Sequence, residues 1–327
     1  VVQWRMLCFS APSRLNRKTM TMPHAHREVP RGYKSGDCGQ HQCRFQWVQH
    51  PRASLVRSVA AVLNHDWDKD WDTVECAFRE MKQLGANVVR IHLQFGKFMN
   101  SPTQSRQNSL DQLARLTKLA EQTGLYIDLT GLGCYHKQDV PTWYDKLSES
   151  KRWAAQASFW EAVAKTCAES PAIFCYDLMN EPVVPGGDKK RDDWLGPGLG
   201  DKHFVQFIAL KRNGRNRSEV ARKWIQTMTT AIRRHDKRHL ITVGLVNWSL
   251  DRPGITSGFA PKKIADQLDF IAMHIYPEKG KIDEAIETVR LQHQTTCGGR
   301  GQRVGDVEIV GERLREVLPR VHRRVLG

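Results

Sequence analysis

From about Trp67 to Gln292 the apolar positions fall into two alternating periods. Trp71, Val74, Phe78 and Met81 recur at helical spacing, and Gly85 ends that helix. Residues 86–93 (ANVVRIHL) form a β-rich run. Ser109 and Gln112 carry a capping-box signature ahead of a helix with Leu110, Leu113 and Ala114 inside, stopped by Gly124. The same alternation repeats downstream. Strands are predicted at 126–132, 173–179, 240–246 and 270–275. Helices are predicted around Trp153–Cys167, Ala221–Ile232 and 282–292.

Strands that are nearly continuously apolar and separated by helices predict a parallel sheet covered on both faces. Five such strands are clear, with starts that average about 46 residues apart. That spacing suits a (β/α)₈ TIM-type barrel with elaborated loops, incomplete at the first and eighth strands. No G-x-G-x-x-G follows the first clear strand, and no G-x-x-x-x-G-K-[ST] occurs, so the nucleotide-binding folds lose support.

Composition narrows the picture. The 327 residues are 40% hydrophobic, enough for a sizeable core. No apolar run reaches the roughly 18 residues of a membrane span. Residues 1–11 lack the basic–apolar–small order of a signal peptide. Eight scattered cysteines do not form a disulfide framework. Cys38, His41 and Cys43, with His24 or His26, match no recognised zinc spacing, and no metal is expected. The formal charge of +15 is unevenly placed. Two thirds of it lies in residues 1–66 and 297–327, where arginine far outnumbers lysine. Two explanations fit: a basic tail for an acidic partner, or ends that do not naturally continue the middle, as out-of-frame translation would produce. The second is preferred. The chain thus divides into an irregular basic segment (1–66), a barrel domain (67–312) and an Arg-rich end (313–327). A nucleic-acid partner would rest on charge alone and is not expected.

In a parallel barrel, chemistry gathers at the C-terminal strand ends. The 173–179 strand runs directly into Asn180-Glu181-Pro182. A carboxyl group there faces an apolar-walled mouth, which raises its pKa and suits a general acid; the alternative is a loop or capping glutamate. Arg90, Trp248, His274 and Tyr276 lie at or just beyond other strand ends. Ten tryptophans, and loop aromatics such as Tyr135, Trp143, Tyr144 and Trp194, suit flat, partly apolar ligands such as sugar rings.

Over residues 67–290 this constellation resembles glycoside hydrolase family 5, the cellulase and mannanase family of barrel glycosidases. The motif YDLMNEP carries most of the resemblance, with Arg90 in VVRIHL and the H-x-Y of His274 and Tyr276 beside it. The resemblance implies a retaining glycosidase for β-linked poly- or oligosaccharides, needing no cofactor and expected to be monomeric. It implies Glu181 as acid/base, Asn180 on the sugar 2-hydroxyl, and Arg90 and Tyr276 holding a nucleophilic glutamate. It also suggests a secreted or periplasmic location. Glu312, after the apolar run VEIVG, is the candidate nucleophile. The chain departs from the family in three places. Asp128-Leu129-Thr130 replaces D-L-H, leaving His136 as a substitute; the first-strand pattern is not recognisable; the eighth strand with its Trp is missing. A non-catalytic or truncated sugar-binding barrel is the alternative.

Overall fold

The computed structural model describes the strands Trp4–Phe9 and Val59–Val62 and residues 71–251, 256–275, 281, 283–288 and 291. In chain order the elements are β1 (Trp4–Phe9), β2 (Val59–Val62), α1 (Trp71–Gln83), β3 (Val88–Gln94), α2 (Phe95–Phe98), α3 (Gln107–Thr123), β4 (Tyr126–Gly133), α4 (Thr142–Asp145), α5 (Glu149–Cys167), β5 (Ile173–Asn180), β6 (Pro182–Val183), β7 (Gln206–Phe207), α6 (Arg217–His235), β8 (Leu240–Leu245), α7 (Pro261–Ile264) and β9 (Phe270–Ile275).

The main sheet has the order β1-β9-β8-β5-β4-β3-β2. From β2 to β9 every pairing is parallel, and each new strand is added on the same side of the last. A doubly wound sheet reverses direction at a switch point. This sheet never does, which is the winding of a barrel.

Two segments of the stretch expected to be irregular are strands. Val59–Val62 pairs in parallel with Val88–Ile91 and takes the first-strand place beside β3. Trp4–Phe9 runs antiparallel along all of β9, from Trp4 opposite Ile275 to Phe9 opposite Phe270. That edge is where a further parallel strand would pair in a complete barrel.

The core is built in two parts. The larger cluster joins one strand face to α1, α3, α5 and α6, with Phe78, Leu113, Trp160 and Trp224 among its fully buried residues. The smaller cluster consists of strand residues only: Val88, Tyr126, Phe174, Cys175, Phe270 and Ala272. Helices cover the other face, so this group is the floor of the barrel interior. Side chains two apart on a strand share a face. From Val88, therefore, Arg90, His92 and Gln94 climb the interior toward the C-terminal mouth, and all three are buried.

Helix starts differ in detail from the sequence pattern. α3 begins at Gln107 with Arg106 as N-cap, so Ser109 lies inside the first turn and donates to the Lys97 carbonyl at 2.7 Å. The capping box sits instead on α6, where the Asn216 N–H donates to the Glu219 carboxylate at 3.0 Å. Gly124, in the left-handed conformation at φ 67°, closes α3 as expected.

Candidate functional site

Arg90 is the hub of a buried polar layer above the barrel floor. Its Nε donates to Thr130 Oγ1 at 2.7 Å. Its Nη2 donates to Asp177 Oδ2 at 2.8 Å and to Asn180 Oδ1 at 3.0 Å. Thr130 Oγ1 in turn donates a hydrogen bond to the same Asp177 oxygen at 2.9 Å, and Asp128 lies 3.9 Å from the guanidinium. Register explains the assembly: Arg90 sits opposite Asp128, and Thr130 opposite Asp177. Arg90 and Asp128 thus share one row of the sheet, Thr130 and Asp177 share the next row toward the mouth, and the long Arg90 side chain reaches from the first to the second. A buried charge is tolerable only when paired and hydrogen-bonded, and Arg90 and Asp177 are both 0% exposed. Arg90 Nη1 is buried and has no hydrogen-bond partner among the described residues.

Asn180 is held from two sides. Its Oδ1 accepts from Arg90, and its Nδ2 donates to the Phe204 carbonyl at 2.9 Å. These contacts fix which way the amide points and tie β5 to the long loop before α6.

Glu181 follows at the strand end, 5% exposed. Its Oε1 lies 2.9 Å from His274 Nδ1, and His274 is fully buried on β9. The Glu181 N–H donates to the Gly244 carbonyl at 2.8 Å, and the Glu181 carbonyl accepts from the Gln206 N–H at 3.3 Å. Its φ is +51°, in the left-handed region. A non-glycine residue there costs roughly 1–2 kcal/mol. Such strain persists only where the surroundings over-determine it, and it gathers at functional sites.

The sequence candidates therefore separate. Arg90, Asn180, Glu181 and His274 are brought together at one mouth. Trp248 follows β8 and is 37% exposed, with an accessible ring. His136 is buried, and its Nδ1 lies 3.1 Å from the Asp201 carbonyl, fastening the long loop. Trp194, expected as a sugar platform, is 2% exposed with the Arg152 guanidinium 4.3 Å from its ring centre, so it packs inside the barrel top. Tyr144 is likewise enclosed, with Phe95 stacked at 3.9 Å and Arg152 at 3.6 Å. Tyr135 is 1% exposed and bonded to His92. Burial pushes the Tyr135 phenol well above its usual range, so it stays protonated and serves as a donor. Tyr276 and Glu312 lie outside the described residues, as do Cys38, His41, Cys43, His24 and His26. Among the described residues no His, Cys, Asp and Glu group is arranged to hold a metal ion, and no helix is long and apolar enough to cross a membrane.

Sequence reasoning passed over His92, Thr130 and Asp177 as working residues. The signal was present in the strands themselves. Arg90, His92 and Gln94 are polar at two-residue intervals, and Asp177 interrupts an otherwise apolar run. Thr130 stands where the resemblance expects histidine, and His92 is its register partner on β3.

Comparison with known proteins agrees with this architecture. The family model for cellulase (glycosyl hydrolase family 5) matches residues 47–299. The chain belongs to glycoside hydrolase family 5.

Among individual relatives, it is 21% identical over 265 residues to mannan endo-1,4-beta-mannosidase A of Emericella nidulans, covering 72% of this chain and 61% of that protein. It is 20% identical over 245 residues to the probable mannan endo-1,4-beta-mannosidase A of Aspergillus flavus, covering 64% of this chain and 56% of the other. The chain thus spans less than two thirds of the length of these relatives. A solved GH5_18 protein of Streptomyces cattleya, in complex with Manβ1-4GlcNAc, is 21% identical with a TM-score of 0.47, over 61% of this chain and 45% of that one.

Proposed function

We propose that this chain is a retaining glycoside hydrolase acting on β-linked glycans of the mannan or glucan type, with Glu181 as general acid/base. The observation that carries this reading is the placement of Glu181: a carboxyl group at a barrel strand end, on a left-handed backbone, bonded to a buried histidine at 2.9 Å. In the first step Glu181 protonates the departing glycosidic oxygen while a second carboxylate attacks the anomeric carbon. In the second step Glu181 takes a proton from a water whose oxygen attacks the anomeric carbon, which breaks the bond to the second carboxylate and releases the sugar. His274 orients the Glu181 carboxyl through both steps. Asn180 Nδ2 has two hydrogens, one engaged by Phe204; the other serves a sugar hydroxyl.

Glu312 is proposed as the attacking carboxylate. Arg90 Nη1 is the donor it would use, and a retaining pair stands about 5–5.5 Å apart. The names of the mannosidase relatives favour a β-1,4-mannan as substrate.

The test is Glu181→Gln assayed on β-mannan and β-glucan. A general acid/base contributes about 10²–10⁴-fold, so turnover should fall by that factor with the fold intact. An unchanged rate would overturn the assignment. Oligosaccharide binding with no turnover in the parent chain would support the non-catalytic barrel instead. Retention at the anomeric carbon, followed by NMR of fresh product, tests the two-step route.

A further inference from the structure

Beside Glu181 lies a pocket of about 250 Å³ that the chemistry above does not use. It opens two residues further along the chain, at Val183, so its near wall is within about 7 Å of the Glu181 backbone. Trp248 and Phe207 contribute aromatic surface, and Lys189 and Arg217 contribute charge. Lys189 Nζ sits 5.0 Å from the Phe207 ring centre. Arg217 Nη1 donates to the Thr256 carbonyl at 2.6 Å. Neither cation forms a salt bridge with a carboxylate among the described residues. Burial, and then repulsion from Arg212, lower the Arg217 pKa, as befits a cation without a compensating anion. The geometry around Arg217 is specific. A Cβ added to Gly186 would stand 2.1 Å from its Nη2, so this glycine makes room for the guanidinium against the pocket wall.

We propose that this pocket is a subsite for an acidic sugar unit, a uronic acid whose carboxylate meets Lys189 and Arg217 while its ring lies on Trp248. The proposal rests on the glycosidase reading for its place along the glycan. A glycan carrying a carboxylated unit next to the cleaved bond would then be favoured over a neutral one. The apolar and aromatic walls select a sugar over a bare phosphate, which has no face to stack. The volume lies just under the usual range for small-molecule sites and suits one ring.

The test uses two ligands that differ only at C6, methyl β-D-glucuronide and methyl β-D-glucoside, titrated onto the full chain by ligand-observed NMR. A charge-assisted contact predicts about a tenfold preference for the glucuronide. Lys189→Gln should cut that preference severalfold. Gly186→Ala should do the same with both charges still present, by displacing the guanidinium. Glu181→Gln should keep the preference while losing turnover. Preference in the parent chain without any effect of Glu181→Gln on turnover would separate the two proposals, supporting this subsite and refuting that acid/base. Equal binding of the two glycosides, a preference untouched by both Lys189→Gln and Arg217→Gln, or displacement of the glucuronide by an equal concentration of inorganic phosphate would overturn the proposal.

Discussion

Arg90 and Asn180 meet through a single hydrogen bond of 3.0 Å, and that bond makes the position of the amide beside Glu181 depend on a buried ion cluster. The same Nη2 also holds Asp177. Stability and site geometry therefore share one nitrogen. Arg90→Met should cost about 3–5 kcal/mol in urea unfolding, because Asp177 would be left buried without its cation. Arg90→Lys should recover part of that stability, since a point charge remains. It should not recover turnover, because an ammonium lacks the planar fork that reaches Thr130, Asp177 and Asn180 together. A Lys variant with parental activity would refute this division.

His274 is expected to act as a positioning residue. Its Nδ1 lies 2.9 Å from the Glu181 carboxylate. His274→Gln should lower kcat by about tenfold or more while KM stays within about twofold, as loss of orientation does. The pH profile should shift as well, because the buried partner of the Glu181 carboxyl is replaced. A raised KM with unchanged kcat and pH profile would place His274 on the substrate instead.

Trp248 separates binding from stability. With 37% of its surface exposed it contributes little to the core. Trp248→Ala should leave the midpoint of urea unfolding nearly unchanged. Loss of an aromatic face typically removes roughly 0.5–1.5 kcal/mol of contact, so KM for an oligosaccharide should rise about two- to tenfold. A large fall in stability would show that the ring is structural.

Alkali should unfold this protein in a definite window. Burial raises Tyr135, Tyr144 and Tyr176 above the ordinary value of 10.0. Below that pH both folded and unfolded chains keep the phenols neutral, and the contribution to stability is complete. Above it the unfolded chain ionises and the folded one does not, so stability drops by about 1.4 kcal/mol per pH unit for each such tyrosine. Phenolate absorbance from these three should rise together with loss of far-UV dichroism. Ionisation of all six tyrosines near pH 10 in a fully folded chain would contradict it.

What could be read from the sequence follows from how local each determinant is. The cores of β3, β5 and β9 were legible because strands buried on both faces are apolar throughout, and the helices between them carry their own period. Val59–Val62 was not, since four small residues in an arginine-rich stretch have no pattern apart from their partner Val88–Ile91. Trp4–Phe9 takes its register from β9, more than 260 residues away, which no window can detect. In the site, Asn180 and Glu181 could be read because a strand end is a local feature. The Arg90–Asp177 bond spans 87 residues and belongs to the sheet. The enclosure of Trp194 and Tyr144 is hidden from the sequence for the same reason. Arg152 from α5 encloses Trp194 and Tyr144, and nothing near either residue in sequence announces it.

The left-handed backbone at Glu181 has an evolutionary consequence. Glycine suffers no penalty at φ +51°, so the conformation that presents the carboxyl group is one a chain freed from catalysis would relax by losing it. Activity and folding then select in opposite directions at one codon. Under the proposed acid/base role, inactive copies of this gene should drift at position 181 toward glycine or asparagine before they lose Arg90, whose removal harms the fold in any case. The order of decay would be legible in the genome: first the acid, then the scaffold that held it.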